Sequence, residues 1–209
     1  LLKATLVALT RPVSVLFLPV LLGRGTLYGA ASGAGPLIGA NYAGLGTAEI
    51  ASLTAMAGLV AGVLCMTLGG WLGDRFGAKR IAIMWLGAGL VMLAAMYWGE
   101  PFWSDPRVVA AFIFAWVSLD MLLTVALLPI PMRLCDAKVA ATQFTIYMAV
   151  SNFGISFGAF MLGKTGLMGG LSSIFMVVGA GYLLALGLML LTFAQLRLTR
   201  AEQAGQKAR

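Results

Sequence analysis

Six long apolar segments, separated by short polar stretches, dominate this sequence. They cover roughly residues 13–38, 50–72, 81–98, 107–132, 139–162 and 171–195. Each segment is close to or above the length of about 20 apolar residues that an α-helix needs to cross a bilayer. Backbone groups inside lipid must form their hydrogen bonds within the segment, and the apolar runs are continuous rather than alternating. We therefore predict an all-α membrane protein with six transmembrane helices.

Composition excludes several other classes of protein. The chain is 61% hydrophobic and 10% charged, whereas soluble domains are about 25% charged. The net charge is +7, but the basic residues lie between the apolar segments and not along one face, which argues against nucleic-acid binding. There is no histidine, and Cys65 and Cys135 lie far apart without a CxxC spacing. We therefore expect no metal site and no cofactor.

The distribution of lysine and arginine predicts the orientation of the chain in the membrane. With the N-terminus in the cytoplasm, the inner segments hold eleven of the 14 basic residues. The outer segments hold only Arg107 and Lys164, and Arg24 lies within a span. By the positive-inside rule both termini are cytoplasmic. The eleven inner residues are Lys3, Arg11, Arg75, Lys79, Arg80, Arg133, Lys138, Arg197, Arg200, Lys207 and Arg209.

These segments divide the chain into a cytoplasmic linker (1–12), a transmembrane domain (13–195) and a cytoplasmic tail (196–209). We expect the tail to be solvated and to have no fold of its own. The chain begins with Leu1 and not with methionine, which suggests a piece of a longer protein.

Proline and glycine predict local features of the spans. Pro19 and a glycine-rich second half predict a bent or broken first span, while Pro129 and Pro131 should kink or end the fourth. Pairs of glycines spaced four apart favour close helix approach. These pairs are Gly29/Gly33, Gly58/Gly62 and Gly154/Gly158.

The loop between the second and third spans reads GGWLGDRFGAKR, residues 69–80. On physical grounds alone it could be only a topology signal. It also resembles the signature loop of the major facilitator superfamily, departing from that pattern only at Ala78. The resemblance implies one six-helix half built from two inverted three-helix repeats. It further implies that Asp74 pairs with bases of its own loop and with the start of the fifth helix. The implied gating residues are Gly70, Gly73, Asp74, Arg75, Gly77, Lys79 and Arg80.

A second stretch, DAKVAATQFTIYMAVSNFGISFGAFMLG (136–163), resembles the muropeptide permease and acetyl-CoA transporter-like branch of that superfamily. The segment GLGTAEIASLTAMAGLVAG (44–62) does so as well. This resemblance implies the C-terminal half of a twelve-helix permease in the bacterial inner membrane. The implied cargo is a muropeptide, moved by proton symport. The partners would be membrane lipid, the small-molecule substrate and a second half, either the missing N-terminal half or another copy.

Two ionisable residues lie well inside predicted spans, where charge is costly and usually functional. Arg24 is a candidate ligand for a carboxylate or phosphate, because its guanidinium suits bidentate binding. Asp120 is a candidate proton carrier. Alternatively, the two residues pair with each other as a structural element.

Polar residues along the fifth span form a second group of candidates. Gln143, Tyr147 and Ser151 share one helix face at a spacing of four, and Asn152 is adjacent. With Tyr28, one turn after Arg24, they could bind a polar solute. Hydrogen bonding between packed helices is an equally good explanation.

These observations favour half of a secondary transporter that works by alternating access. There is no GxxxxGK[ST] nucleotide loop and no catalytic cluster, so we expect neither an ATP-driven pump nor an enzyme. The main alternative is a non-transporting assembly factor or sensor on the same scaffold. A permanent channel fits the gating motif less well.

Overall fold

The computed structural model describes residues 2–164 and 170–207, and all regular structure in this part of the chain is helical. The α-helices are α1 (Leu2–Leu9), α2 (Pro12–Asn41), α3 (Thr47–Leu64), α4 (Gly70–Phe76), α5 (Ala78–Trp98), α6 (Pro106–Leu127), α7 (Pro129–Leu134), α8 (Ala140–Leu162) and α9 (Ser172–Lys207).

Six helical stretches within the described residues are long and apolar enough to cross a membrane, as the sequence predicts. Two of them are composite. A π-helical segment, Cys65–Gly69, joins α3 to α4 so that the second span is continuous over Thr47–Phe76. The fourth span, Pro106–Leu134, combines α6 with α7. The bounds of all six stretches agree with the sequence prediction to within a few residues.

The prolines have different effects in the two spans where they were expected to matter. Pro129 begins α7 after the break at Leu128, as predicted. By contrast, α2 continues through both Pro19 and Pro36, so the first span is not broken. Membrane helices tolerate proline because neighbouring groups satisfy the backbone positions that the ring leaves unpaired.

The tail also differs from the prediction. It was expected to have no fold of its own, but α9 continues without interruption from the last span to Lys207. The segment is rich in alanine, glutamine, lysine and arginine, which have high helix propensity, and the preceding span supplies the helical nucleus.

Helix α2 is central to the packing and contacts α8, α9 and α6. Its closest approach is to α8, where glycines on each helix meet the backbone of the other. A methyl group at Gly25 or Gly29 would overlap a carbonyl oxygen of α8, and one at Gly154 or Gly158 would overlap a carbonyl oxygen of α2. Small residues therefore bring the two backbones together, as the Gly154/Gly158 spacing predicts.

The Gly58/Gly62 pair on α3 makes no comparable contact. Among the described residues, no atom of another element lies within 4 Å of a methyl group placed at either glycine. This face of α3 is exposed in the described structure and includes Met56, Leu59 and Val63. The spacing alone therefore does not identify a helix contact.

Candidate functional site

The two intramembrane charges meet in the core of the bundle. Arg24 lies about 18 Å along α2 from Pro12, and Asp120 lies about 21 Å along α6 from Pro106, at 1.5 Å per residue. Both positions are near the middle of their spans. The Arg24 Nη2 atom lies 2.5 Å from Asp120 Oδ1, and the side chains are only 13% and 10% exposed. The sequence analysis left this pairing open as an alternative to separate functional roles.

Thr124 is hydrogen-bonded to both residues of the ion pair. The sequence analysis did not identify it. Arg24 donates a hydrogen bond to its hydroxyl oxygen at 2.5 Å. The same hydroxyl donates to the backbone carbonyl of Asp120 at 2.8 Å. The available signal was the spacing, since residue 124 follows Asp120 by four positions and therefore shares its helix face.

Two further polar groups around this pair have no hydrogen-bond partner within the described part of the chain. They are the Nε atom of Arg24 and the hydroxyl of Tyr182. Tyr182, on α9, lies within electrostatic range of both charges. Tyr28 is in cation–π contact with Arg24, whose Cζ atom lies 5.6 Å from the centroid of the tyrosine ring. The pair thus has unused hydrogen-bonding capacity in an apolar setting, where an unpaired polar group is costly. No local pattern could have identified Tyr182.

A small cavity of about 50 Å³ adjoins the guanidinium, between α2, the α6–α7 break and α8. Its lining includes Arg24, Thr124 and Ser151. One water molecule occupies about 30 Å³ in the liquid, so this space is of water size and far below the 300–1,000 Å³ typical of ligand pockets. A solute-sized site would need the helices to move or a second unit to complete it.

The polar candidates on α8 differ in burial: Gln143 and Tyr147 lie inside the bundle, whereas Asn152 is exposed. Gln143 and Tyr147 are fully buried, and Gln143 Nε2 donates to the Tyr147 hydroxyl at 2.8 Å. That hydroxyl donates to Ser14 of α2 at 2.8 Å, and Ser14 donates to the carbonyl of Ala8. This chain of bonds, which we call the α2–α8 network, joins two helices. A role for Gln143 and Tyr147 in substrate binding stays a prediction.

The other end of the network reaches the loop before α8. Gln143 Oε1 accepts a hydrogen bond from the backbone N–H of Asp136 at 2.8 Å. The Asp136 carboxylate in turn pairs with Arg11 at 2.5 Å. Asn152 does not belong to this network, because it lies exposed on another face of α8, next to Phe153.

The loop expected to act as a gate forms the end of α4 and the start of α5. Gly77 has φ +83°, a conformation that glycine adopts readily, and separates the two helices. Gly70 and Gly73 have open space beside them; instead Gly69, one position earlier, faces Val125 of α6. The close contact with α6 is therefore made by the residue before the motif, and not by the first two glycines of the motif itself.

The charged residues of this loop differ in their surroundings. Asp74 is exposed and forms no ion pair or hydrogen bond with the described residues, so the pairing implied by the resemblance is not present there. Arg75 contacts the rings of Trp71 and Phe76. Lys79 lies 4.8 Å from the ring centroid of Phe193 on α9. Arg80 is exposed. The gating role of these residues stays a prediction.

Comparison of the chain with models of known protein families, with curated proteins and with solved structures finds no match.

Proposed function

We propose that this chain is one six-helix half of a secondary transporter of the major facilitator type. It moves a small anionic solute, with a muropeptide as the leading candidate, by alternating access coupled to protons. The observation that carries this proposal is an exchange symmetry in the helix contacts. The first three spans are α2, α3–α4 and α5, and the last three are α6–α7, α8 and α9.

Exchanging these two sets leaves the pattern of main contacts unchanged. The first span packs on the fifth, and its counterpart, the fourth, packs on the second. Likewise the first span packs on the sixth, and its counterpart, the fourth, packs on the third. The first span also contacts the fourth, and the third contacts the sixth; the exchange turns each of these two contacts into itself. Each set has an odd number of spans, so the second set crosses the membrane in the opposite sense. This pattern supports an inverted repeat, on which many secondary transporters are built.

The ion pair supports a role for this symmetry in transport. Arg24 and Asp120 lie on the first span of each set, at similar depth. Protonation of Asp120 removes the negative charge that holds Arg24, and the guanidinium then becomes available to a carboxylate of the solute. Binding of the proton and binding of the solute would favour each other. Each replaces one partner of the same charge pair, the proton at Asp120 and the solute carboxylate at Arg24.

The exposed apolar faces of the second and fifth spans support the proposal that a second half packs against this one. Both present exposed apolar side chains in the described structure, including Leu59 and Met66 on one and Phe153 and Phe160 on the other. They occupy equivalent positions in the two sets. A second six-helix unit placed against them would enclose a central space large enough for a solute.

The pairing of the two charges and the small size of the cavity beside them also favour a second candidate function. The charges are paired, and the cavity beside them is of water size. Such an arrangement serves equally well in a non-transporting scaffold, in which the pair has only a structural role.

One experiment distinguishes these functions. The full chain would be reconstituted into vesicles that enclose a pH-sensitive dye, and an anhydro-muropeptide would be added outside. A proton symporter should acidify the lumen only when solute is present, and Asp120→Asn should lose this response because it cannot exchange a proton. Glu100→Gln is the matched control, since it removes an exposed carboxylate near the end of a span.

A folded wild-type chain that has paired with a second copy in the vesicles and still gives no solute-dependent acidification would contradict the transport proposal and favour the scaffold. Acidification that persists in Asp120→Asn would contradict the proton role of Asp120 while leaving transport intact.

A further inference from the structure

A second cavity, of about 450 Å³, lies at the base-rich end of the bundle. Its walls come from three parts of the chain that are distant in sequence: the turn from the end of α4 into the start of α5, the short helix α7, and Leu196 of α9. Its size is within the range of ligand sites in proteins. It is separate from the ion-pair site, whose adjoining cavity has a different lining.

The charge around this cavity is of one sign. Lys79, Arg80 and Arg133 line it, and no carboxylate of residues 3–164 and 170–196 does so. Arg80 and Arg133 form no ion pair within residues 3–164 and 170–196, where the ion pairs are Arg11–Asp136 and Arg24–Asp120. Two cationic side chains that line one cavity and have no ion-pair partner among residues 3–164 and 170–196 favour an anionic ligand there.

The backbone adds to this preference. Gly77 and Ala78, at the beginning of α5, also line the cavity. This helix is 21 residues long, and the first N–H groups of a helix have no partner within it and carry partial positive charge. An oxyanion in the cavity would therefore meet both the guanidinium groups and the start of this helix.

The remaining walls are apolar and include Phe76, Ile130 and Leu134. Phe76 and Leu134 are the last residues of the second and fourth spans, so the cavity lies where the hydrocarbon core meets the headgroup layer. A small soluble anion would make no use of such walls, whereas a lipid brings both a charged group and an apolar body. Basic pockets between helices at this depth suit anionic headgroups.

We propose that this cavity binds the phosphate headgroup of an anionic phospholipid. Arg80 and Arg133 contact the phosphate oxygens, and the apolar walls contact the glycerol and upper acyl chains. The ligand joins α5, α7 and α9, and thereby connects the two three-span sets at this end of the molecule.

Native mass spectrometry of the full chain in detergent tests this site, with dioleoyl phosphatidylglycerol and dioleoyl phosphatidylcholine as probes. We expect one tightly bound phosphatidylglycerol, and a loss of affinity of about tenfold or more in the Arg80→Gln/Arg133→Gln variant, because each base near an anionic group contributes measurably. The matched control is Lys3→Gln/Lys138→Gln. It removes the same charge from exposed positions that do not line the cavity, and it should leave the affinity unchanged.

Equal losses in the two double variants would overturn the proposal, since they would indicate diffuse charge attraction. Displacement of the lipid by glycerol phosphate at equal concentration would overturn it in favour of a soluble phosphate site. Arg80→Lys/Arg133→Lys keeps the charge and should retain most of the affinity. In the wild type, hydrogen exchange of residues 77–82 should slow with phosphatidylglycerol and not with phosphatidylcholine; equal protection by both lipids would also overturn the proposal.

Discussion

Arg24 and Asp120 are 96 positions apart in the chain, yet their side chains lie 2.5 Å from each other at the centre of the bundle. The contact joins the first span to the fourth. In hydrocarbon, an isolated charge would be expensive, and each residue offsets that cost for the other. The pair thus connects the stability of the bundle with the chemistry proposed for it.

Breaking this pair should destabilise the protein strongly. Arg24→Met or Asp120→Leu alone leaves one buried charge without a partner, and we expect each variant to lose about 3–5 kcal/mol of unfolding free energy. The double variant replaces both charges with apolar groups and should recover most of that loss. The measurement is equilibrium unfolding in mixed micelles with increasing sodium dodecyl sulfate. A double variant as unstable as the worse single variant would contradict the buried pairing.

The glycine contact between α2 and α8 leads to a second prediction. Gly158→Ala places a methyl group against the Thr26 carbonyl oxygen, and overpacking of this kind costs about 1–3 kcal/mol. Gly58→Ala is the matched control, because it makes the same change where no contact exists. There the higher helix propensity of alanine should leave stability equal or raised by up to about 1 kcal/mol. Thermal unfolding in detergent compares the two, and equal effects would show that the α2–α8 contact is not this close.

Two buried tyrosines provide a test of the α2–α8 network. Tyr147→Phe removes the hydroxyl that links Gln143 to Ser14, and we expect a loss of about 1 kcal/mol, the usual size for a hydrogen bond between membrane helices. Tyr182→Phe removes a hydroxyl that has no partner among the described residues. It should therefore be neutral or stabilising. The order of the two melting temperatures is the readout, and a larger loss in Tyr182→Phe would overturn the assignment.

The Arg11–Asp136 pair predicts a dependence of stability on pH. The pKa of Asp136 is lowered, chiefly because its carboxylate accepts a hydrogen bond from the backbone N–H of Lys138, and also through its bond to Arg11. A carboxyl whose pKa is lower in the folded state stabilises fully above its ordinary value of about 3.9. That contribution is lost as the pH falls through the lowered value.

The melting-temperature difference between the wild type and Asp136→Asn should therefore be constant above about pH 5 and shrink below about pH 4. Asp105→Asn is a useful comparison, because Asp105 caps α6 without an ion-pair partner in the described structure. A difference that grows on acidification would contradict a lowered pKa at Asp136.

The number and position of the spans follow from local chemistry and could be predicted. Each apolar run must satisfy its own backbone in lipid, so length and hydropathy are sufficient. The break at Pro129 is of the same kind, since it depends on a single ring and the turn before it. The turn at Gly77, which has a positive φ and separates the second and third spans, is also a local feature of this kind.

Lateral neighbours could not be predicted in this way. Lipid tails are as apolar as leucine, so hydrophobicity does not specify which helix face meets which. Gly58/Gly62 and Gly154/Gly158 have the same spacing, yet only the second pair contacts another helix. The continuity of α2 through Pro19 likewise depends on surrounding helices.

The candidate site, too, could be predicted from the sequence only in part. Arg24 and Asp120 stand out in the sequence because charge inside a span is costly wherever it occurs. Whether they bind solute separately or pair with each other depends on the distance between two helices, which no local pattern contains. The same holds for Tyr182 and Ser14, ordinary residues in their own segments that gain a role only through their neighbours. The sequence by itself therefore determined the spans and their costly charges, while the tertiary structure decided which of these groups meet, because packing between helices in lipid is a property of pairs of surfaces.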